Sequence, residues 1–397
     1  MKAALCIALL ALLAVSAVVD ANLFVPLRKR GPKPMSAAQA AMVAAGYPVP
    51  LKGNIAQYGE YFVGFTIGTP GQHFEAQVDT GSSDLLINSV GCAGCGNSRK
   101  FNPATSRTAK KVSCSQFSCA SCVNNQCGFD DQYGDGSEVS GPVYQDILSF
   151  PGSNLGNTTI EFGATTKSSP NFEPTGVDGI FGLSYSALSS WSGTPPFERI
   201  VQQQHIPNVY SMCLNSNGGK LNLGYTAPAS TLWTPVTKRE WFVITVTDFA
   251  VDGKPLGFSP HTYADAIVDS GTTLLIMPQT PYNAVVSKVK AMCNNGINLP
   301  GVCNTQPGTS IFDGYCYQMT STQRKSFPVI SALIPGWGSL HINPSDYLLA
   351  NQNTWCWGIA AGSDGSGTIL GDVAVQNQNI IYDMGNNRIG LAPGSTC

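Results

Sequence analysis

The chain has 397 residues, of which 12% are charged, and its formal net charge at pH 7 is −2. This length allows two or three domains with ample core. The low charge, together with 42 glycines and 26 prolines, predicts many short strands joined by turns and argues against a helical bundle, whose surface would need Glu, Lys and Arg.

The first residues predict export. Lys2 precedes a mostly apolar run from Ala3 to Val19, so residues 1–21 have the composition of a secretory signal peptide. No later stretch reaches the roughly 18 apolar residues that a membrane helix needs. We expect a protein without a membrane anchor that is secreted or reaches a lysosome or vacuole.

Residues 22–52 differ in charge from the rest of the chain. Residues 1–52 hold six basic residues and one acidic residue, whereas the remainder holds 16 basic and 23 acidic residues. A disordered leader is one interpretation. A propeptide is the other, because opposite charges would hold it against its domain near neutral pH and weaken as carboxylates are protonated.

Two stretches share one pattern, and each has a second half. Residues 77–83 and 267–273 both run from apolar, strand-forming residues into Asp, a hydroxyl residue and Gly. Either copy alone is ordinary turn chemistry. An apolar-apolar-Gly element ends at Gly182, 103 residues after Asp79, and another ends at Gly371, 102 residues after Asp269. This match predicts a duplicated lobe, with one carboxylate from each half and the site between the lobes.

The motifs resemble those of the pepsin family of aspartic proteases. They are Val78–Ser83, Asp178–Leu183, Ala266–Thr272 and Ile369–Asp372, within a resemblance that runs from about residue 58 to 393. It implies a mainly β, bilobal fold with few short helices, in which two barrel-like lobes enclose a cleft. We expect an N-terminal lobe at residues 53–235, with a Cys-rich insert at 92–127, and a C-terminal lobe at 236–397.

The same resemblance implies a monomeric endopeptidase, made as a zymogen, that cleaves proteins and peptides at acidic pH without a cofactor. Asp79 and Asp269 would be its catalytic dyad, in which two close carboxyls share one proton. In related zymogens the propeptide blocks the cleft as an intramolecular inhibitor. Lys33 and Lys52 are the lysines here that could reach the aspartates.

Six neighbours are expected to support the dyad: Thr80, Gly81, Ser82, Ser270, Gly271 and Thr272. By resemblance, the hydroxyl after each Asp bonds across the lobes. The hydroxyl three residues after each Asp would bond its outer oxygen and favour ionisation, and the glycines let substrate backbone approach. Thr273 is expected to contact substrate.

Residues 133–137 have the glycines of a hairpin tip. By resemblance this is the flap, which covers bound peptide and excludes water, with Tyr133, Gly134 and Asp135 facing substrate. The family commonly has a tryptophan seven residues after the first Asp as a partner of the flap tyrosine, but this chain has Leu86. We expect a differently held flap and an apolar pocket beside Leu86.

The cysteines predict disulfides rather than a metal site. The insert holds Cys92, Cys95, Cys114, Cys119, Cys122 and Cys127. Two Cys-x-x-Cys spacings would suggest zinc in a cytosolic protein, but a signal peptide favours disulfides, and loss of Cys6 with it leaves an even 12. Spacing does not determine the pairing within the insert.

The insert resembles the nepenthesin-type branch of the family. That resemblance implies three pairs outside the insert: Cys213–Cys397, Cys316–Cys356 and Cys293–Cys303. Asn157 begins an N-glycosylation sequon, Asn157-Thr158-Thr159.

Other functions find little support in the sequence. The four histidines stand in no serine-hydrolase or zinc-protease motif, and sparse charge offers no nucleic-acid surface. A secreted binding or inhibitor protein on the same fold is the alternative, and it would be expected to have a damaged dyad or flap.

Overall fold

The structure is a computed structural model that describes residues 46–55, 59–134, 136–169 and 177–393. The predicted signal peptide, most of the predicted propeptide with Lys33, and also Asp135 and Cys397 lie outside these residues. The described chain is mainly β with a few short helices, which confirms the predicted fold class.

The strands of the first part of the chain are β1 (Tyr47–Asn54), β2 (Glu60–Ile67), β3 (Gln72–Asp79), β4 (Leu85–Ala93), β5 (Lys110–Lys111), β6 (Ser121–Val123), β7 (Gln126–Gln132), β8 (Glu138–Ser149), β9 (Thr158–Ser168), β10 (Gly179–Gly182), β11 (Val209–Asn215) and β12 (Gly218–Leu223). Helix α1 (Pro196–Gln204) lies between β10 and β11, and single 3-10 turns occur at Pro103–Thr105 and Ser186–Leu188.

The later strands are β13 (Leu232–Pro235), β14 (Val243–Ile244), β15 (Asp248–Val251), β16 (Lys254–Pro255), β17 (Ala266–Val268), β18 (Leu275–Pro278), β19 (Ile330–Ile334), β20 (Gly338–Ile342), β21 (Leu348–Asn351), β22 (Thr354–Trp357), β23 (Ile359–Gly362), β24 (Thr368–Leu370), β25 (Asn379–Asp383) and β26 (Arg388–Leu391). The helices here are α2 (Gln279–Met292), α3 (Ser321–Lys325), α4 (Pro344–Tyr347) and α5 (Asp372–Val375), with 3-10 turns at Pro260–Tyr263, Cys293–Asn295 and Ile311–Asp313.

One large sheet joins both halves of the chain. Its order is β13-β26-β25-β11-β12-β1-β2-β3-β10-β4-β9-β8-β7-β6, with β5 paired to β8. Three smaller sheets contain only later strands, in the orders β14-β17-β24-β18-β23, β16-β15-β19-β20 and β21-β22. The C-terminal strands β25 and β26 therefore continue a sheet that the N-terminal half begins.

Strand β1 includes the predicted end of the propeptide. It pairs antiparallel with β12 and β2, and Lys52 lies opposite Phe62. The Lys52 ammonium bonds the Glu75 carboxylate, so in this structure Glu75 is its partner. The boundary at residue 52 stays a prediction.

The second half of each Asp-containing pattern lies beside the strand that leads to its aspartate. Strand β10 runs parallel to β3, with Gly182 opposite Asp79, and antiparallel to β4. Strand β24 likewise runs parallel to β17, with Leu370 opposite Val268, and antiparallel to β18. Each Asp loop therefore leaves a strand that is paired to its own second half, which is the arrangement that the matched spacing indicates.

Aromatic side chains from both halves form the centre of the core. Tyr210 of β11 stacks on Tyr382 of β25 with ring centroids 4.7 Å apart, and Phe242 meets Tyr382 edge-on at 4.8 Å. All three side chains are buried, and each such side chain stabilises the fold by about 1.5–3 kcal/mol through burial. The two halves therefore share apolar packing as well as a sheet.

The structure pairs the cysteines as Cys92–Cys95, Cys114–Cys122, Cys119–Cys127, Cys293–Cys303 and Cys316–Cys356. The last two are the pairs that the resemblance implies, and the first three give the pairing that spacing left open. Cys213 is also disulfide-bonded, and its expected partner Cys397 lies outside the described residues.

Removing the Cys316–Cys356 disulfide should destabilise the chain more than removing the Cys92–Cys95 disulfide. The sequence separations are 40 and 3 residues, and loop-closure entropy gives losses of about 4 and about 2 kcal/mol. Urea unfolding of the two double-alanine variants measures the difference. Equal losses would contradict the entropic explanation.

Candidate active site

Asp79 and Asp269 are held face to face. Asp79 ends β3 and Asp269 directly follows β17, and they are 6% and 1% exposed. A Cβ on Gly81 would lie 2.5 Å from Asp269 Oδ1, and a Cβ on Gly271 would overlap Asp79 Oδ1. The glycine of each loop thus packs against the carboxyl of the other, where no larger residue fits.

The two loops also exchange four hydrogen bonds. Thr80 Oγ1 donates to the Val268 carbonyl at 2.8 Å and accepts from the Ser270 amide at 3.0 Å. Ser270 Oγ donates to the Val78 carbonyl at 2.8 Å and accepts from the Thr80 amide at 3.2 Å. Both hydroxyls are buried, so each acts as donor and acceptor and fixes one loop on the other.

Each carboxylate also accepts two hydrogen bonds from its own loop. The amide two residues later bonds Oδ1, at 2.8 Å for Asp79 and 2.9 Å for Asp269. The hydroxyl three residues later bonds Oδ2. The donors are Gly81 and Ser82 in the first loop and Gly271 and Thr272 in the second.

Burial is the main electrostatic effect on the dyad. It raises the pKa of Asp79, while hydrogen bonds from Ser82 and Gly81 oppose it. Burial and then the charge of Asp79 raise the pKa of Asp269 to about 8. Because two close negative charges in a poorly solvated site are costly, the pair retains one proton through the acidic range.

A third carboxyl lies near the dyad. Asp372, the first residue of α5, is fully buried, and within the described residues neither of its carboxyl oxygens has a hydrogen-bond partner. Burial and then the charge of Asp269 raise its pKa well above the usual value. The equivalent position in the first lobe, directly after Gly182, is Leu183. The sequence places Asp372 in a motif without revealing its burial or its missing partners.

The predicted flap is the hairpin between β7 and β8. The Tyr133 amide donates to the Ser137 carbonyl at 2.9 Å, and the Gly136 amide donates to the Tyr133 carbonyl at 2.9 Å. Asp135 lies outside the described residues, and Gly134 lies in the turn.

An apolar cluster supports this hairpin. Tyr133 packs against a buried cluster that includes Leu86, Phe129 and Trp191. The Trp191 and Phe129 rings lie edge-to-face with centroids 6.1 Å apart. A tryptophan therefore does contribute to the packing below the hairpin, but it comes from a segment more than 100 residues after Leu86, and sequence reasoning missed it.

Thr273, Gln77 and Asn157 have defined surroundings. Thr273 is buried and its hydroxyl donates to the Gly59 carbonyl, so its predicted substrate contact stays a prediction. Gln77 Nε2 donates to the Gly271 carbonyl at 3.1 Å, a further contact between the halves that sequence reasoning missed. Asn157 is exposed just before β9.

Two structural features are absent from the described part of the chain. It has no group of three or more His, Cys, Asp or Glu side chains arranged to hold a metal ion. None of its helices combines the length and apolarity needed to cross a membrane.

Known proteins resemble the chain over most of its length. The family described as eukaryotic aspartyl protease matches residues 60–394. Gastricsin of Homo sapiens is 31% identical over 361 residues, which cover 84% of this chain and 81% of gastricsin. Aspartic proteinase nepenthesin-2 of Nepenthes gracilis is 27% identical over 384 residues, covering 92% and 84% of the two chains. Aspartic proteinase 36 of Arabidopsis thaliana is 28% identical over 390 residues, covering 89% and 78%. The chain therefore belongs to the eukaryotic aspartyl protease family.

Proposed function

We propose that the chain is the precursor of an exported aspartic endopeptidase that cleaves proteins at acidic pH. The observation that carries the proposal is the pair of buried carboxyls, Asp79 and Asp269, in two loops that hold each other by equivalent bonds. An intact pair of this kind favours catalysis over the alternative of a non-catalytic binding protein.

The two carboxyls would act as base and acid. Burial raises the pKa of both carboxyls, and the charge of Asp79 further raises that of Asp269, to about 8, so we assign the retained proton to Asp269 and the role of base to Asp79. It would take a proton from water as the water attacks the peptide carbonyl. Protonated Asp269 would polarise the carbonyl oxygen, and the departing amine would leave with a proton from the dyad.

Three observations support export and maturation. The N-terminal residues have the composition of a signal peptide, and disulfides persist in oxidising compartments. The basic excess of residues 1–52 against an acidic remainder suits a propeptide that leaves the cleft in acid. We further propose that exposed Asn157 is glycosylated.

Replacing either aspartate by asparagine should abolish turnover without unfolding the chain. Asp79→Asn and Asp269→Asn each remove one partner of the proton exchange, so kcat should fall at least about 1,000-fold, within the range of lost acid–base catalysis. The assay is cleavage of a denatured protein at pH 3 to 5 after acid maturation, with and without a statin-type peptide inhibitor.

Asp265→Asn is the matched control. Asp265 is exposed and pairs with Lys238, so this variant should retain activity. Circular dichroism should report the same fold for all three variants. Substantial cleavage by either dyad variant would exclude the shared-proton mechanism, and no cleavage by the matured wild type would favour the binding protein.

Stability should fall as the pH rises from about 4 to about 8. Because the pKa of Asp269 is raised to about 8 in the folded chain and is about 3.9 in an unfolded one, only the folded state holds this proton between those values. Its contribution to stability is complete below about pH 4 and is lost as the pH rises through about 8.

Urea unfolding at pH 4, 6 and 8 tests this linkage. Between pH 4 and pH 8 the free energy of unfolding should fall less in Asp269→Asn than in wild type. The difference between the two decreases should exceed about 1.4 kcal/mol, which corresponds to one pKa unit. Asp265→Asn should follow wild type. Parallel curves for wild type and Asp269→Asn would show that Asp269 is ionised in the folded chain.

A further inference from the structure

Two carboxyls and a hydroxyl connect the flap strand to the first catalytic loop. Asp84 lies five residues after Asp79, immediately before β4, and is 4% exposed. Asp131 lies on β7, two residues before Tyr133. Ser190 lies in the segment between β10 and α1. Trp191, next to Ser190, packs on Phe129 two residues before Asp131, and Leu86, two residues after Asp84, belongs to the same buried cluster. Three separate parts of the first lobe thus place one polar group each at the base of the flap.

Asp84 is anchored on both sides. Its Oδ2 accepts from the Ser190 amide at 2.8 Å, and its main-chain carbonyl accepts from the Gly182 amide at 3.0 Å. Asp84 therefore lies in a fixed position relative to Asp79, since Gly182 is the residue paired with Asp79. A displacement of Asp84 would therefore strain its bond to Gly182 beside the catalytic loop.

The Ser190 hydroxyl lies near both carboxyls. Its Oγ is buried and has no hydrogen-bond partner within the described ranges, yet it is close enough to lower the pKa of both Asp84 and Asp131. A buried hydroxyl without a partner is costly. A small rotation toward one carboxyl or the other would relieve that cost.

Burial and the neighbouring charges favour a proton on the Asp84–Asp131 pair. Burial and then the charge of Asp131 raise the pKa of Asp84 to about 7. Burial raises the pKa of Asp131 to about 6, with a smaller contribution from the charge of Asp130. On the neighbouring strands, Glu138 of β8 bonds Gln132, and Lys167 of β9 lies opposite Ser140. The Ser190 amide and then the hydroxyls of Ser189 and Ser190 oppose the raised pKa of Asp84, and the Ser190 hydroxyl opposes that of Asp131.

A single proton completes the hydrogen bonding of all three groups. A hydroxyl can accept one hydrogen bond and donate another, so a carboxylic acid can donate to Ser190 while Ser190 donates to the remaining carboxylate. When both carboxyls are ionised, Ser190 can donate to only one of them. The other is then a poorly solvated charge that repels its neighbour, and the two strands are pushed apart.

We propose that Asp84, Ser190 and Asp131 form an acid latch, which holds the flap strand against the catalytic loop while the pair carries a proton and releases it near neutral pH. This inference rests on the proposed function, because the flap matters only if peptide binds below it. The three are positioning residues that act through Tyr133 and the flap.

The latch and the dyad should lose their protons at different pH. The pKa of Asp84 is about 7, below the value of about 8 for Asp269, so the latch should open first. Since the flap encloses substrate and the dyad performs the chemistry, KM should rise with pH before kcat falls. The alkaline limb of the plot of kcat/KM against pH, where activity falls, then reflects deprotonation of the Asp84–Asp131 pair.

The first test compares Asp131→Asn with Asp130→Asn. The two positions are adjacent on β7 and carry the same charge, but Asp130 is exposed. An asparagine at 131 donates to Ser190 at any pH, so the alkaline limb of kcat/KM should move up by about one pH unit, which gives about twofold more relative activity at pH 7. Asp130→Asn should move the limb only slightly and in the opposite direction, because the charge that it removes is a minor cause of the raised pKa of Asp131. An unchanged limb in Asp131→Asn, or the same shift in both variants, would overturn the proposal.

Ser190 provides a second variant if the first folds poorly. Ser190→Ala removes the bridging hydroxyl, so KM should be raised about three- to tenfold in acid, with little change in kcat. Ser190→Thr keeps a hydroxyl and should restore a KM near wild type. Loss of kcat and KM together in Ser190→Ala, without rescue by Thr, would indicate a merely structural residue.

The rate of amide hydrogen exchange in residues 126–140 measures how firmly the flap strand is held, and it requires no substrate cleavage. Wild type and Asp131→Asn, compared at the same pH, should exchange alike at pH 5, and wild type should exchange faster at pH 7.5. If no protein cleaves substrate but this difference appears, the proposed function fails and the latch stands. If the proteins cleave substrate but exchange alike at both pH values, the latch is wrong.

Discussion

The structure depends on holding two carboxyl groups together that repel each other when both are charged. The cross-bonds of Thr80 and Ser270 and the close packing of Gly81 and Gly271 against the opposite carboxyls impose this proximity. The contacts are reciprocal, so displacing one loop would also displace the other. A buried site imposed in this way retains a proton that two solvated aspartates would lose.

The rest of the fold holds the two aspartates at a fixed distance from each other. Strands β10 and β24 brace the two Asp-bearing strands from the side, and the large sheet with its stacked Tyr210 and Tyr382 connects the halves behind them. Hydrogen-bonded strands move little relative to one another, which suits a site whose donors must lie within tenths of an ångström of their acceptors. The predicted flap is a hairpin that extends beyond this sheet connection, and the apolar cluster below Tyr133 helps to position it.

The sequence was sufficient for features that depend on local chemistry. The Asp loops, their second halves and the hairpin at Tyr133 each lie in a short segment whose residues specify a turn or strand. Trp191 could not be predicted as a support of the hairpin, because its contact with Phe129 joins segments 62 residues apart in sequence. The disulfides of the insert were undetermined for the same reason, since pairing depends on which strands meet. The missing partners of Asp372 are likewise a property of the packed fold.

The burial of four aspartates suggests why acid conditions suit this fold. Asp79, Asp84, Asp269 and Asp372 are all buried, and burial is the largest cause of the raised pKa of each. Each such carboxyl is easiest to accommodate when protonated, so the folded chain binds protons more tightly than the unfolded chain does. As the pH rises, each of these carboxyls that loses its proton becomes a poorly solvated charge. The physical condition that prepares the dyad for catalysis is therefore also the condition under which the surrounding lobes pack best.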